Sequence, residues 1–233
     1  MDWPFIRILG IQEPASTVFS IFNGLVHIIG IIEFRKRLPI GAPMYWVWHT
    51  FAAVGVHAWF WSSVFHTRDV LLTERMDYFS AAALLLMTIY ALGIRSLCYH
   101  KSTCRREVAI GFAILLLILF SLHVSYLTFV TFDYGYNMKA SVIAGLVNSF
   151  WMIKWASSNW DLHGGIKKAL VATVSVNVLC TLELLDFSPF FWIFDAHAVW
   201  HLSTVLPAIW LYSYIIEDSL YLYKTKHRFK KLE

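Results

Sequence analysis

Seven long apolar stretches alternate with short polar and charged segments along the 233-residue chain. Most approach the length of roughly 20 residues that a helix needs to cross the hydrocarbon core of a bilayer. The pattern therefore predicts an all-α integral membrane protein, a seven-transmembrane helix bundle. The predicted spans are 16–33, 43–65, 77–94, 108–130, 139–157, 167–186 and 192–216.

The composition agrees with a membrane protein. The chain is 58% hydrophobic, whereas soluble domains average about 45–50% apolar residues. Charged residues make up 15% and cluster between the apolar stretches. The cysteines are Cys98, Cys104 and Cys180, which form neither a disulfide framework nor a CxxC metal motif. We expect membrane lipids as partners, and no nucleic acid.

Lysine and arginine are distributed unequally between the two sets of connections. Of the 19 such residues, 15 lie in or next to the first, third and fifth connections or after the seventh span. The other four are Arg7, Arg68, Arg75 and Lys139. Because cytoplasmic loops carry the excess of positive charge, the N-terminus is predicted to be luminal and the C-terminus cytosolic.

This topology divides the chain into three parts. Residues 1–15 form a luminal interfacial segment, 16–223 the seven-helix transmembrane domain with the candidate chemistry, and 224–233 a basic cytosolic tail. The first part is largely apolar, which is typical of an amphipathic anchor lying in the interface. A simple lead-in to the first span explains the same residues equally well.

Polar residues with helical spacing interrupt two of the apolar stretches. Ser62 and His66 close the second, and His197 and His201 lie near the start of the seventh. Positions four residues apart share one helical face. Ionisable groups at membrane depth are unfavourable and commonly mark function. With the predicted topology these residues and Asp77, at the start of the third span, reach the same luminal level.

Three histidines on two helices indicate a metal site. The imidazoles of His66, His197 and His201 suit zinc and leave a fourth tetrahedral position for water. Zinc lowers the pKa of a bound water to about 7 and polarises a carbonyl group. Asp77 would then be a general base or would orient a ligand histidine. The alternative for Asp77 is a carboxylate at a helix start, favoured there by the helix dipole. The alternative for all three histidines is packing within the bundle without a metal.

Other polar residues near this level each allow two interpretations. Ser62 either hydrogen-bonds the water or a developing oxyanion, or only bridges helices. Asp195 is either the N-cap of the seventh helix or a partner behind a metal ligand, rather than a ligand itself. Arg68 and Arg75 either bind a lipid phosphate or form local salt bridges with neighbouring carboxylates.

These residues resemble those of a known group of proteins. Seven spans with serine and histidine on the second, aspartate on the third and HxxxH on the seventh resemble the CREST superfamily, which includes alkaline ceramidases, adiponectin-type receptors and GPI-anchor remodelling phospholipases. Local motifs between about residues 3 and 223 resemble one branch, the Per-one-like family of post-GPI-attachment-to-proteins phospholipases. They are Gln12-Glu13-Pro14-Ala15-Ser16, Trp59-Phe60-Trp61-Ser62, Phe65-His66-Thr67-Arg68-Asp69, Thr73-Glu74-Arg75-Met76-Asp77-Tyr78-Phe79, Gly135-Tyr136-Asn137-Met138, Glu183-Leu184-Leu185-Asp186-Phe187 and Asp195-Ala196-His197-Ala198-Val199-Trp200-His201.

The resemblance implies a GPI-specific phospholipase of the A-two type, which removes the sn-2 acyl chain from a GPI anchor. It implies zinc held by His66, His197 and His201, and residence in the endoplasmic reticulum or Golgi with the site on the luminal side. The substrate, a GPI lipid or a GPI-anchored protein, is expected to enter sideways from the bilayer. Members of the family usually carry a signal peptide and a cysteine-containing luminal segment before the membrane domain.

Two other functions remain open from the sequence. A ceramidase-like amidohydrolase would use the same residues on an amide. A non-catalytic seven-span receptor or GPI-protein chaperone would hold zinc only for structural reasons.

Overall fold

The computed structural model describes residues 4–99, 105–185 and 187–229, without the side chains of 183, 184 and 229. Within these ranges the chain is helical, with isolated bridges in place of strands. Of the residues named above, Cys104 and Asp186 lie outside the described part, and so do Lys101, Lys230 and Lys231 from the lysine and arginine count. The helices are α1 (Pro14–Arg37), α2 (Tyr45–Thr67), α3 (Leu71–Gly93), α4 (Arg106–Phe129), α5 (Tyr134–Ser158), α6 (Gly165–Leu179), α7 (Thr181–Leu185) and α8 (Ala196–Phe229).

The all-α fold class is confirmed, and a long helix occupies each predicted apolar stretch. In the described part of the chain, four segments are long and apolar enough to cross a membrane. They are Pro14–Arg37, Leu71–Cys98, Arg106–Phe129 and Ala196–Arg228. Crossing by α2, α5 and α6, and the orientation of the bundle, remain predictions.

Three helices differ most from the predicted spans. The third helix begins at Leu71 rather than 77, so Asp77 lies in its second turn. The sixth ends at Leu179, and the short α7 follows it. The last helix begins at Ala196 rather than 192 and continues to Phe229. Hydrophobicity marks only the apolar part of a helix, whereas hydrogen-bonded turns continue into polar sequence.

Local sequence explains where several helices begin. Pro14 occupies the first turn of α1, where a missing backbone N–H is tolerated. The Thr73 hydroxyl accepts a hydrogen bond from the backbone N–H of Val70 at 3.1 Å, just before α3. Asp133 accepts a bond from the N–H of Tyr136 at 3.2 Å and caps α5.

Helix α1 packs against both α2 and α8, and these contacts fix the relative positions of the site-bearing helices. Close approach depends on glycine at two points. A Cβ on Gly30 would lie 2.4 Å from the Tyr212 ring of α8, and one on Gly55 would lie 2.4 Å from the His27 ring of α1. Helix α2 therefore meets α1, and α1 meets α8, at the short distances that small residues allow in membrane bundles.

A buried ion-pair cluster connects the helices at the end of the bundle opposite to Ser62 and His66. Arg95, in the π-helical turn Ile94–Cys98 that follows α3, donates through Nη2 to Asp218 of α8 at 2.8 Å. His163, in the loop before α6, lies 2.9 Å from the same carboxylate. The Arg95 guanidinium also lies over the Trp155 ring, 5.0 Å from its centre. Elements α3, α5, α6 and α8 are thereby joined.

Candidate metal centre

Three imidazoles converge where the end of α2 meets the start of α8. His66 lies in the last turn of α2, and His197 and His201 lie in the first two turns of α8. The Nε2 atom of His197 is 3.2 Å from Nε2 of His66 and 2.9 Å from Nε2 of His201. One ligand nitrogen from each of the three residues lies within 4.8 Å of the others. The structure thus brings the three predicted ligands together.

The carboxylate of Glu13 fixes the orientation of His66. Its Oε2 lies 2.7 Å from His66 Nδ1. Burial raises the pKa of Glu13, but its contacts, first among them the hydrogen bond from His66, together lower it by more, so the net pKa is below its usual value. An ionised carboxylate only accepts hydrogen bonds, so the proton lies on His66 Nδ1. When the ring carries only this proton, the Nε2 atom of His66 presents a lone pair to the other histidines.

Ser20 of α1 fixes the orientation of His201. Its hydroxyl donates to the carbonyl of Ser16 at 2.7 Å, and it lies 2.8 Å from His201 Nδ1. Because that hydroxyl hydrogen is already used, Ser20 accepts the bond from His201. The Nε2 atom of His201 then also carries a lone pair. The Ser62 hydroxyl, 3.0 Å from Ser20, donates to the same oxygen.

This proton arrangement would suit a cation. Two lone pairs, on His66 and His201, face the Nε2 atom of His197, which can supply at most one hydrogen when neutral. A metal ion between the three nitrogens would satisfy all of them. Ligand nitrogens at 2.0–2.1 Å in tetrahedral geometry lie about 3.3 Å apart. The observed separations of 3.2 and 2.9 Å are close to that value, so the donor set fits zinc.

Sequence reasoning missed the contribution of α1 to the site. Besides Glu13 and Ser20, Asn23 donates through Nδ2 to the backbone carbonyl of His201 at 2.8 Å and so holds the first turns of α8. A signal for this face was present, because Ser16, Ser20, Asn23 and His27 are spaced by four, three and four residues. That spacing is typical of one face of a helix, and all four side chains are buried.

The other predicted site residues have distinct surroundings. Asp195 accepts a hydrogen bond from the N–H of Ala198 at 2.8 Å and is the N-cap of α8. Burial raises the pKa of Asp195. Asp77 is partly buried in the second turn of α3, so it is not at the helix start. Arg68 is exposed after the end of α2, whereas Arg75 places its guanidinium over Phe132, 5.5 Å from the ring centre.

Comparison with known proteins places the chain in a family. The profile of the Per1-like family matches residues 2–219. The mouse protein named GPI-specific phospholipase A2-like PGAP3 is 45% identical over 232 residues, which cover 99% of this chain and 71% of the mouse protein. The human protein of the same name is 44% identical over 229 residues, covering 98% and 70% of the two chains.

The similarity extends to fungi. The Schizosaccharomyces pombe protein named Protein PER1 homolog is 41% identical over 221 residues, which cover 94% of this chain and 66% of the fungal protein. The profile match includes Glu13, Ser20 and the three histidines of the metal centre. The chain therefore belongs to the Per1-like family.

Proposed function

We propose that this protein is a zinc-dependent phospholipase of the A-two type that hydrolyses the sn-2 acyl ester of GPI anchors. The convergence of three imidazole nitrogens within 4.8 Å at one end of the bundle carries this proposal. The names of its mouse and human relatives, GPI-specific phospholipase A2-like PGAP3, support the substrate class. A zinc ion held by His66, His197 and His201 would polarise the ester carbonyl and make a water acidic near neutral pH.

The chain's own residues would prepare the ligands and move the proton. Glu13 and Ser20 fix the His66 and His201 rings through bonds of 2.7 and 2.8 Å, a common means of tuning metal ligands. Asp77 would accept the proton of the attacking water as general base. The water oxygen bonds to the carbonyl carbon, the bond to the glycerol oxygen breaks, and that oxygen takes up the proton.

Two arginines and one serine would contact the substrate. The Nε atom of Arg75 is buried and, among the described residues, has no hydrogen-bond partner, so it retains a donor for a lipid phosphate. Exposed Arg68 is a second donor at the same end of the bundle. Ser62 would donate to the developing oxyanion after exchanging its present bond with Ser20.

The cellular setting follows from the same proposal. The lysine and arginine distribution favours the metal centre on the luminal side of the endoplasmic reticulum or Golgi membrane. The substrate would be a GPI lipid or a GPI-anchored protein. Its acyl chains would remain in the bilayer while the sn-2 ester reaches the three imidazoles from the side.

The test combines metal analysis with lipid mass spectrometry on the purified full chain. We expect about one zinc ion per protein and lyso-GPI as product. His197→Ala should lose both while the helices stay folded, as measured by circular dichroism. His57→Ala is the matched control, because His57 is an exposed histidine of α2; it should keep zinc and activity.

Three outcomes would contradict the proposal. Continued lyso-GPI formation by metal-free His197→Ala would exclude zinc chemistry. Fatty-acid release from ceramide but not from GPI lipid would indicate an amidohydrolase. Zinc bound by the wild-type protein without product from either lipid would indicate a structural role for the metal.

A further inference from the structure

Two irregular segments of the chain pair with each other beside the metal centre. Residues 4–11 precede α1, and residues 187–194 precede α8; together we call them the lip. The backbone N–H of Ile6 donates to the carbonyl of Trp192 at 2.9 Å. Each segment also forms internal bonds, from Ile11 to Ile8 at 3.0 Å and from Phe190 to Phe194 at 2.9 Å. Several backbone donors of the lip are therefore satisfied without water.

The lip exposes large apolar side chains. Leu9 is 98% exposed and Phe191 is 82% exposed, and Ile6, Phe190 and Trp192 are each more than half exposed. Scattered apolar residues are normal at protein surfaces, but a contiguous apolar patch of this kind marks a contact with a protein or a membrane. Helix faces also expose apolar residues, among them Phe129 at 84% and Phe150 at 69%, so the lip belongs to the apolar outer surface of the bundle.

The backbone of the lip turns these side chains outward. Leu9, Phe191 and Trp192 adopt φ values of 54°, 55° and 59°, a left-handed conformation that is unfavourable for bulky residues. Phe191 and Trp192 adopt it consecutively. Such conformations persist where the surrounding structure fixes them and tend to occur at functional sites.

Both segments of the lip lead directly to metal-binding elements. After residues 4–11, Glu13 donates its backbone N–H to the carbonyl of His66 at 3.0 Å and contacts the His66 ring through its side chain. After residues 187–194, Asp195 caps the helix that carries His197. Phe194 also stacks on Phe19 of α1, with ring centres 6.3 Å apart. The apolar patch and the metal centre are thus parts of one local structure.

We propose that the lip is immersed in the interfacial layer of the bilayer and is the surface across which the glycerolipid substrate reaches the metal centre. The inference rests on the proposed lipase function for its substrate. Its occupant is lipid because the patch continues, through Phe19, into α1, a helix apolar enough to cross the membrane. On α1 the apolar side chains Val18, Ile21 and Phe22 are exposed as well.

The aromatic side chains of the lip favour the same membrane depth at which the ester group of the substrate lies. Aromatic side chains concentrate at the boundary between headgroups and acyl chains, which is also where the ester groups of glycerolipids lie. Irregular backbone does not occur in the lipid-exposed hydrocarbon core, so the lip belongs at this boundary. An sn-2 ester crossing the lip would reach the imidazoles without its acyl chain leaving the bilayer.

The depth of the lip can be measured independently of activity. Single cysteines at Leu9 and Phe191, in a chain whose native cysteines are replaced, carry an environment-sensitive fluorophore in phosphatidylcholine vesicles. We expect blue-shifted emission and quenching by lipids that carry a nitroxide near the headgroup end of the acyl chain. Asp161→Cys, at an exposed position between α5 and α6, is the aqueous control and should be quenched by iodide instead. Iodide quenching at Phe191, or cross-linking of that position to a second copy, would overturn the proposal.

The contribution to catalysis is tested with Phe191→Asp. Aspartate tolerates the left-handed conformation better than phenylalanine does, so we expect unchanged zinc content and melting temperature. Hydrolysis of GPI lipid in vesicles should fall at least tenfold, whereas hydrolysis in mixed detergent micelles should fall much less. Phe191→Leu should restore the vesicle activity.

The two proposals can fail separately. If nitroxides near the headgroups quench a fluorophore on the lip but the protein has no hydrolytic activity, the proposed function is excluded and the membrane contact of the lip is supported. If Phe191→Asp keeps full activity on GPI lipid in vesicles, the substrate does not cross the lip, but the lipase function is still supported.

Discussion

The bond between Glu13 and His66 should contribute measurably to metal affinity. The two atoms are 2.7 Å apart, and the Glu13 side chain is 29% exposed. A hydrogen bond to a charged group contributes about 1.5–3 kcal/mol, and partial exposure favours the lower half of this range. Loss of such a partner behind a metal ligand typically weakens metal binding by about 10–100-fold. For Glu13→Ala we expect a zinc Kd raised by about tenfold to several tens of fold.

The zinc Kd of Ser20→Ala can be compared with that of Glu13→Ala. Its bond to His201 is between neutral groups, and such bonds contribute about 0.5–1.5 kcal/mol. The expected rise in Kd is therefore about 2–10-fold, smaller than for Glu13→Ala. Zinc affinity would be measured by competition with a chromogenic chelator on purified protein. In Glu13→Ala the backbone hydrogen bond from residue 13 to the carbonyl of His66 is retained, so local unfolding is not expected.

A carboxylate elsewhere on the first helix is the matched control. Glu33 lies near the other end of α1 and pairs with Lys36 at the surface, so Glu33→Ala should leave the zinc Kd unchanged. An equal effect of Glu13→Ala and Glu33→Ala would refute the assignment of Glu13 as the partner of His66. A larger effect of Ser20→Ala than of Glu13→Ala would refute the ranking by charge.

Three other changes test the bundle and its metal. Asp218→Asn should lower stability by about 3–5 kcal/mol, because it leaves the buried Arg95 guanidinium without a counter-charge; thermal unfolding in detergent measures this. Gly30→Ala should cost about 1–3 kcal/mol through overpacking against Tyr212, whereas Gly41→Ala, with open space around it, should change little. Removal of zinc by a chelator should lower the melting temperature, since ligand at a hundredfold excess over Kd stabilises by about 2.7 kcal/mol.

Each of these has a result that would contradict it. Glu217→Gln, which disrupts a half-exposed pair with Lys168, should cost less than about 1 kcal/mol; a loss as large as that of Asp218→Asn would show that burial is not decisive. Equal melting temperatures for Gly30→Ala and Gly41→Ala would refute the close contact of α1 with α8. A chelator effect that persists in His197→Ala would place the stabilising ion elsewhere.

The sequence predicted features that depend on local periodicity. Spacing by four residues placed Ser62 with His66 and His197 with His201 on common helical faces, and long apolar stretches identified the helices. Both signals arise within one helix and need no knowledge of packing. Helix α3 starts six residues before the predicted span because its first turns contain Thr73, Glu74 and Arg75, polar residues that end an apolar stretch without ending a helix.

Features that depend on contacts between distant segments were missed. Arg95 was counted among the cations of a loop, although it is buried and paired with Asp218, 123 residues away in sequence. The pairing of residues 4–11 with 187–194 involves backbone groups, which leave no signature in side-chain identity. Glu13 and Ser20 were not assigned to the site, because their partners on α2 and α8 are known only after the helices are packed.

The bond between Ser20 and His201 spans 181 residues, and that between His66 and His197 spans 131. Every helix from α1 to the start of α8 must therefore be synthesised before the ligand set exists. Loading with an ion would in consequence be a late event in biogenesis, and chains that terminate before α8 would present only one of the three imidazoles. Premature chains would thus be unable to acquire a metal-dependent activity, however well their first helices were inserted.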